Sequence, residues 1–326
     1  MKIGVLGTGK ITDKVIPMLV QLEEIECYAA ASRTLEKAEA FCEKYGFQKA
    51  YGSYEELLSD PAVELVYVAT PHSHHYPYMM MCLEHGKPVI CEKPFTINAD
   101  LARRIKETSQ AKGIYAAEAM WTRYMPSRKI IRDLIDSGII GEVRTLTANL
   151  FYHTEERERI RNIALAGGAL LDVGIYGINF ALMSFGTEIE KIESSVQMTE
   201  TGVDGMNNVT IFFKDGRTAI VTSGICSRSD RQGVFYGTKG YMIVQNINNP
   251  QSVAVYDSDD NLLKKVTVPE QINGYEYEFL EAVRCIGEGK TQSDSMPLDE
   301  TIRVLDIMDG IRAQWGFRYP QEEESV

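Results

Sequence analysis

KIGVLGTGKIT, residues 2–12, decides the fold. Lys2–Leu6 is a short apolar run with Ile3 and Val5 at its centre, the composition of a buried strand. Gly7 and Gly9 interrupt it, and a helical pattern follows over residues 9–22. A strand that passes through glycines straight into a helix is the first half of a βα unit. The glycines permit a tight turn, and the start of the helix directs unpaired backbone N–H groups at whatever sits above it. Gly7, Thr8, Gly9, Lys10 and Ile11 therefore form a cradle suited to a pyrophosphate, with Thr12 where the full fingerprint carries Gly or Ala.

Outward from this loop the alternation repeats. IECYAAA (25–31) reads as a second strand and TLEKAEAFCEKYG (34–46) as a helix closed by Gly46. ELVYVAT (64–70) is another strand, followed by a helix over HHYPYMMMCLEHG that Pro77 should interrupt early. PVIC (88–91), a helix started by Asn98, and IYAAE (114–118) complete the series. Strands apolar on both faces, separated by helices, predict a doubly wound parallel sheet, a Rossmann-type α/β domain over residues 1–120. Past a helix near 124–137 the texture changes. VTIFFKDGRTAIVTSGI carries Asp215-Gly216 between two alternating strands, a hairpin signal. GTKG (237–240) and SDDN (258–261) mark further turns, and helices are expected near 274–288 and 298–315, with a frayed tail QEEESV. Residues 121–326 read as an α+β domain with an open, mainly antiparallel sheet, serving substrate binding and dimerisation.

The 326 residues are 44% hydrophobic and 25% charged, ordinary values for a globular protein, and the net charge is −12. No basic cluster exceeds a pair, which argues against nucleic acid or an anionic membrane as partner. The six cysteines are scattered with no C-x-x-C, as in reduced cytosolic proteins. No signal-like leader and no apolar run of about 18 residues is legible, so a cytoplasmic location is expected.

The end of the second strand bears on cofactor choice. A ribose with a free 2′-OH usually meets an acid here. This chain has Ala31-Ser32-Arg33-Thr34 instead, and Ser32 and Arg33 suit a 2′-phosphate, so NADP is expected over NAD. Lys93, in Glu92-Lys93-Pro94, leaves the fifth strand on the carboxyl edge of the sheet, where ligands of doubly wound folds bind. In GGALLDVGIYGINF (167–180), Asp172 and Tyr176 lie four apart on a predicted helix and share a face. A phenol of pKa about 10 is a poor base, and a neighbouring ammonium stabilises the phenolate. Lys93 and Tyr176 are thus a candidate proton-transfer pair for alcohol–carbonyl redox chemistry. The run His72-Ser73-His74-His75 has no accompanying Cys or acid cluster, and no metal is expected there.

The glycine loop, ATPHSHH (69–75), EKP (92–94) and GGALLDVGIY, in this order and spacing, resemble the glucose–fructose oxidoreductase/inositol dehydrogenase (Gfo/Idh/MocA) family over essentially the whole chain. EAMWTRYMP (118–126) and Tyr at 176 are most similar to its dimeric dihydrodiol dehydrogenase and NADP-dependent D-xylose dehydrogenase branch. The resemblance implies that Lys93 and Tyr176 are catalytic, that Asp172 positions substrate, and that His75 lies near the pair. It places Gly7, Gly9, Arg33, Thr70, His72, Glu92 and Lys93 against the cofactor, with Trp121 and Arg123 near nicotinamide or substrate. Thr12 and Asn179 depart from the family pattern. The expectation is an NADP-dependent oxidoreductase of a small sugar, polyol or cyclic diol, working as a homodimer or higher oligomer. A non-catalytic dinucleotide sensor with the same fold is the alternative, and a one-carbon methyltransferase a weaker third.

Overall fold

The structure, a computed structural model, describes residues 1–322. The chain runs β1 (Lys2–Leu6), α1 (Thr12–Leu19), β2 (Glu26–Ala31), α2 (Leu35–Tyr45), β3 (Lys49–Tyr51), α3 (Tyr54–Ser59), β4 (Leu65–Val68), α4 (His75–Glu84), β5 (Val89–Glu92), α5 (Ala99–Lys112) and β6 (Ala116–Ala119). It continues through α6 (Ser127–Asp136), β7 (Val143–Phe151), α7 (Glu158–Arg161), α8 (Ile175–Phe185), β8 (Ile189–Met198), β9 (Asp204–Phe213) and β10 (Thr218–Gly224). The last elements are β11 (Gly233–Gly237), β12 (Gly240–Val244), β13 (Ser252–Asp257), β14 (Leu262–Thr267), α9 (Glu276–Gly287) and α10 (Leu298–Gln314).

Two compact units result: Met1–Tyr124 with Gln271–Leu305, and Met125–Glu270 with Asp306–Val326. The division drawn at residue 120 from the sequence leaves 271–305 in the second part, whereas these residues pack in the first unit. Tyr67 of β4 shows why: its ring meets Phe279 of α9 edge-on, centroids 5.2 Å apart, and both side chains are fully buried. Burying an aromatic or aliphatic side chain of this size stabilises by roughly 1.5–3 kcal/mol.

The first unit holds a six-stranded sheet in the order β3-β2-β1-β4-β5-β6, all pairs parallel. Strands β4, β5 and β6 are buried along their whole length, which explains why they are apolar apart from Glu92 and Glu118. The order reverses between β1 and β4, and doubly wound sheets bind ligands at the carboxyl ends of the strands at such a switch point. Asn98 caps α5 by accepting from the Leu101 amide at 3.0 Å, and Gly113 ends it in the left-handed region. Pro77 does not break α4: it occupies the first turn, where the missing N–H has no intrahelical partner to lose.

The second unit holds an eight-stranded sheet, β14-β13-β12-β11-β7-β10-β9-β8. Every pair is antiparallel except β7 with β10. β9 alternates buried and half-buried residues, so Val209, Ile211 and Phe213 enter the core. The Asp215-Gly216 turn links it to β10, with Gly216 at φ 85°. Residues 163–185 are long and apolar enough to cross a membrane, against the expectation of no such stretch. Since 83% of their most apolar window is buried, they read as a core helix. Of the tail expected to fray, Gln321 and Glu322 belong to a 3-10 turn, and 323–326 lie outside the described residues.

Candidate active site

In the first unit the glycine loop leaves β1 with the Gly7 amide bonded to Ala31 O. Gly7 has φ 96°, and a Cβ on it would come within 3.0 Å of Ala69 O and 3.1 Å of Thr70 Cγ2. Only glycine fits, because β4's exit crosses directly over the loop. Thr12, the departure from the glycine pattern, is buried and donates its hydroxyl to Gly9 O at 2.6 Å, closing the loop from below. The hydroxyl of Thr70, whose methyl abuts Gly7, is buried with no hydrogen-bond partner among the described residues. A buried hydroxyl left unsatisfied is costly, and a ligand on the glycine cradle would satisfy it. The cradle therefore fits a dinucleotide.

Ser32 is buried at the end of β2, and Arg33 beside it is exposed. Burial raises the pKa values of Tyr54 and Tyr78 and lowers that of His74, and the Arg33 charge, near enough to act on all three, pulls each of them down. Their rings form one group: Tyr54 meets Tyr78 edge-on at 4.6 Å, and His74 stacks on Tyr78 at 5.8 Å. This aromatic wall beside Arg33 is invisible in the sequence, because its members come from α3, the 3-10 turn His72–His74 and α4.

His72 is buried in that turn. His75 is fully buried, with Nδ1 2.7 Å from Pro94 O and Nε2 2.9 Å from Thr70 O. Burial drives its pKa down to about 4, so the neutral ring donates to one carbonyl at a time at neutral pH. Both nitrogens face backbone, and His75 joins the Thr70 loop to the Lys93 loop rather than offering a base to a substrate.

Lys93 is half-buried at the carboxyl end of β5, before a cis bond to Pro94. The ground beneath it is acidic. Glu92 is buried and accepts from Tyr67 Oη at 2.6 Å. Glu118 of β6, fully buried, accepts from the Phe95 amide at 3.1 Å and Thr301 Oγ1 at 2.9 Å. Burial lifts its pKa to about 7, against the pull of those hydrogen bonds and of the Arg123 and Lys93 charges. Glu278 of α9 is buried with both carboxylate oxygens unpartnered, and burial, with Glu92 and Glu118 nearby, pushes its pKa well above the usual range. Its surroundings thus favour the neutral acid form of Glu278. Trp121 stacks on Tyr275 at 4.2 Å, and Arg123, largely buried, reaches Glu300 at 3.4 Å.

In the second unit, Leu170–Gly174 forms a π-helical turn that runs into α8. Asp172 and Tyr176 are both buried at this junction, 5% and 6% exposed. Their spacing expected a plain α-helix; the wider turn is the difference, and such turns are frequent at functional sites. Arg159 of α7 donates to Asp172 Oδ1 at 2.9 Å. Asn179, fully buried, donates back to Ile175 O at 3.0 Å. No group of three His, Cys, Asp or Glu side chains able to hold a metal occurs among the described residues. Sequence reading missed Arg159 and Glu278, and saw Glu118 only as part of a motif. An acid inside the otherwise apolar Tyr115–Ala119 run was the available signal for the last.

A glycine cradle at the switch point of a parallel sheet, in a chain whose second unit holds a large mixed sheet, defines a dinucleotide-binding protein. The chain belongs to the GFO/IDH/MocA family. Residues 1–118 match its oxidoreductase family with NAD-binding Rossmann fold, and 129–243 its C-terminal domain. It is similar to trans-1,2-dihydrobenzene-1,2-diol dehydrogenase of Mus musculus, 32% identical over 333 residues and 98% of each chain. The Homo sapiens enzyme of that name is 32% identical over 328 residues, again covering 98% of each. Among solved structures, a 3-ketoreductase from Actinomadura kijaniata with NADP and TDP-benzene has TM-score 0.89 at 24% identity, covering 96% of this chain and 97% of that one. An aldose-aldose oxidoreductase from Caulobacter crescentus, complexed with glycerol, gives 0.86 at 23%, covering 97% and 98%.

Proposed function

We propose that this protein is an NADP-dependent oxidoreductase that interconverts a carbinol and a carbonyl in a small cyclic diol, sugar or polyol. Lys93 carries the reading: a half-buried ammonium stands at the carboxyl edge of the parallel sheet, with His75 holding the carbonyl of the next residue. The kinship to dihydrobenzenediol dehydrogenases over 98% of the chain supports the substrate class.

The nicotinamide, when bound, supplies the hydride donor or acceptor. Gly7, Thr8, Gly9, Lys10 and Ile11 would hold the pyrophosphate, Thr70 would gain a partner, and Ser32 and Arg33 would take the 2′-phosphate. Arg33 is exposed and its aromatic neighbours carry no negative charge at neutral pH, so its guanidinium can take an anion. Lys93 donates to the reacting oxygen, Tyr176 gives or takes its proton, and Asp172 orients the substrate. A homodimer remains part of the proposal, since the large sheet presents Ile220 and Tyr236 at 39% and 43% exposure.

The test is NADPH fluorescence on binding, followed by turnover on a panel of cyclic diols, aldoses and polyols. Turnover on one class is expected. Tight NADPH binding with no turnover on any member would instead favour the sensor.

A further inference from the structure

The residues beneath the π turn form a buried polar chain that the assigned roles leave unused. Ser223 Oγ of β10 donates to Asn207 Oδ1 at 2.8 Å, and Asn207 Nδ2 of β9 donates to Asp204 Oδ2 at 3.0 Å. The same Asp204 oxygen accepts from the Leu170 amide at 2.6 Å. All three side chains are at most 1% exposed. The turn is shaped to lie on them: a Cβ on Gly168 would meet Asp204 Oδ1 at 2.1 Å, and one on Gly174 would meet Ser223 Oγ at 2.9 Å. Two glycines of GGALLDVG thus serve close approach to this chain rather than flexibility.

We infer that Asp204 is a positioning residue for the reaction: by holding the Leu170 amide, it sets the turn that carries Asp172 and delivers Tyr176. The inference rests on the roles proposed for those two residues. A carboxylate on the first amides of a helical segment complements its positive end, and an anionic acceptor makes the stronger bond. Burial lifts the pKa of Asp204 to about 7, opposed by the bonds from Leu170 and Asn207, so its charge changes near neutrality. The other charged or titratable groups close to it are Arg312 of α10, Tyr319 and Cys226. A buried acid with a raised pKa weakens the fold as it ionises, so it is an expensive way to cap a turn unless the turn's position matters.

Asp204→Asn preserves shape and an acceptor but removes the charge. It should lower kcat on the order of 10–100-fold, the cost of a small misplacement of reacting groups, while the KM for NADPH stays within about twofold. Amide hydrogen exchange at Leu170–Gly174, corrected for its intrinsic pH dependence, should be faster than in the wild type. In the wild type, local opening of the turn breaks the Leu170 bond while Asp204 stays buried, so exchange should slow as pH rises through about 7, and the step should vanish in the variant. Ser223→Ala, a milder cut in the same chain, should move exchange in the same direction by less. Wild-type exchange in Asp204→Asn overturns the inference, whether or not kcat falls. Exchange needs no substrate, so if Tyr176→Phe proves fully active, the proposed reaction fails separately from this test.

Discussion

Arg159 donates to Asp172 at 2.9 Å from a side chain 40% exposed, while the Asp172 side chain is only 7% exposed. The pair orients a carboxylate that the proposed mechanism aims at substrate hydroxyls. A hydrogen bond to a charged group contributes about 1.5–3 kcal/mol, and solvent at the exposed end reduces that. Arg159→Ala should therefore raise the substrate KM or lower kcat by about tenfold, with Arg159→Lys recovering part of the loss. Unchanged steady-state constants in Arg159→Ala would show that Asp172 is oriented without it.

Lys93→Met and Tyr176→Phe should each lower kcat by two to four decades, roughly what a positioned acid–base group contributes. NADPH binding should survive in both, because the glycine loop is untouched. If the two residues act on one oxygen, the double variant should be little worse than either single one. Strictly multiplicative losses would mean that they serve different steps.

Arg33→Ala should raise the KM for NADP by tenfold or more, the loss of a charge-assisted contact of roughly 1.5–3 kcal/mol. The KM for NAD should change little. Equal kinetics with NAD and NADP in the wild type would sink the cofactor assignment. Tyr78→Leu, which removes the ring linking Tyr54 and His74, should weaken NADP more than NAD if the wall steadies Arg33.

Glu118 predicts a pH dependence of stability. Its folded pKa of about 7 lies above the ordinary 4.5, so between those values the native state holds a proton that the unfolded state releases. Stability from this group is fully present below about pH 4.5 and is lost as pH rises towards 7. Glu118→Gln should therefore gain on the wild type across that window, by a total on the order of 3 kcal/mol, read from urea midpoints at several pH values. A constant difference between the two proteins would mean that Glu118 ionises normally.

The signals that were legible from the sequence are local ones. Strands buried on both faces are mostly apolar, so β1, β4 and β5 announce a parallel sheet. Gly7 shows its role because a left-handed turn admits few other residues, and Asp215-Gly216 because the hairpin demands it. Asn98 names the start of α5 because a cap bonds three residues ahead.

What only the tertiary structure decided is set by contacts between distant segments. Nothing in Glu276–Gly287 states which sheet its apolar face will cover, since amphipathic periodicity specifies a face but no partner, and α9 packs on Tyr67. His75 looked like a spare base until Thr70 and Pro94 claimed its two nitrogens. Arg159 meets Asp172 from a separate short helix, and Asp204 meets Leu170 across 34 residues. The pKa values of Glu118, Glu278 and Asp204 are raised chiefly by burial, a property of the folded interior that no spacing along the chain encodes.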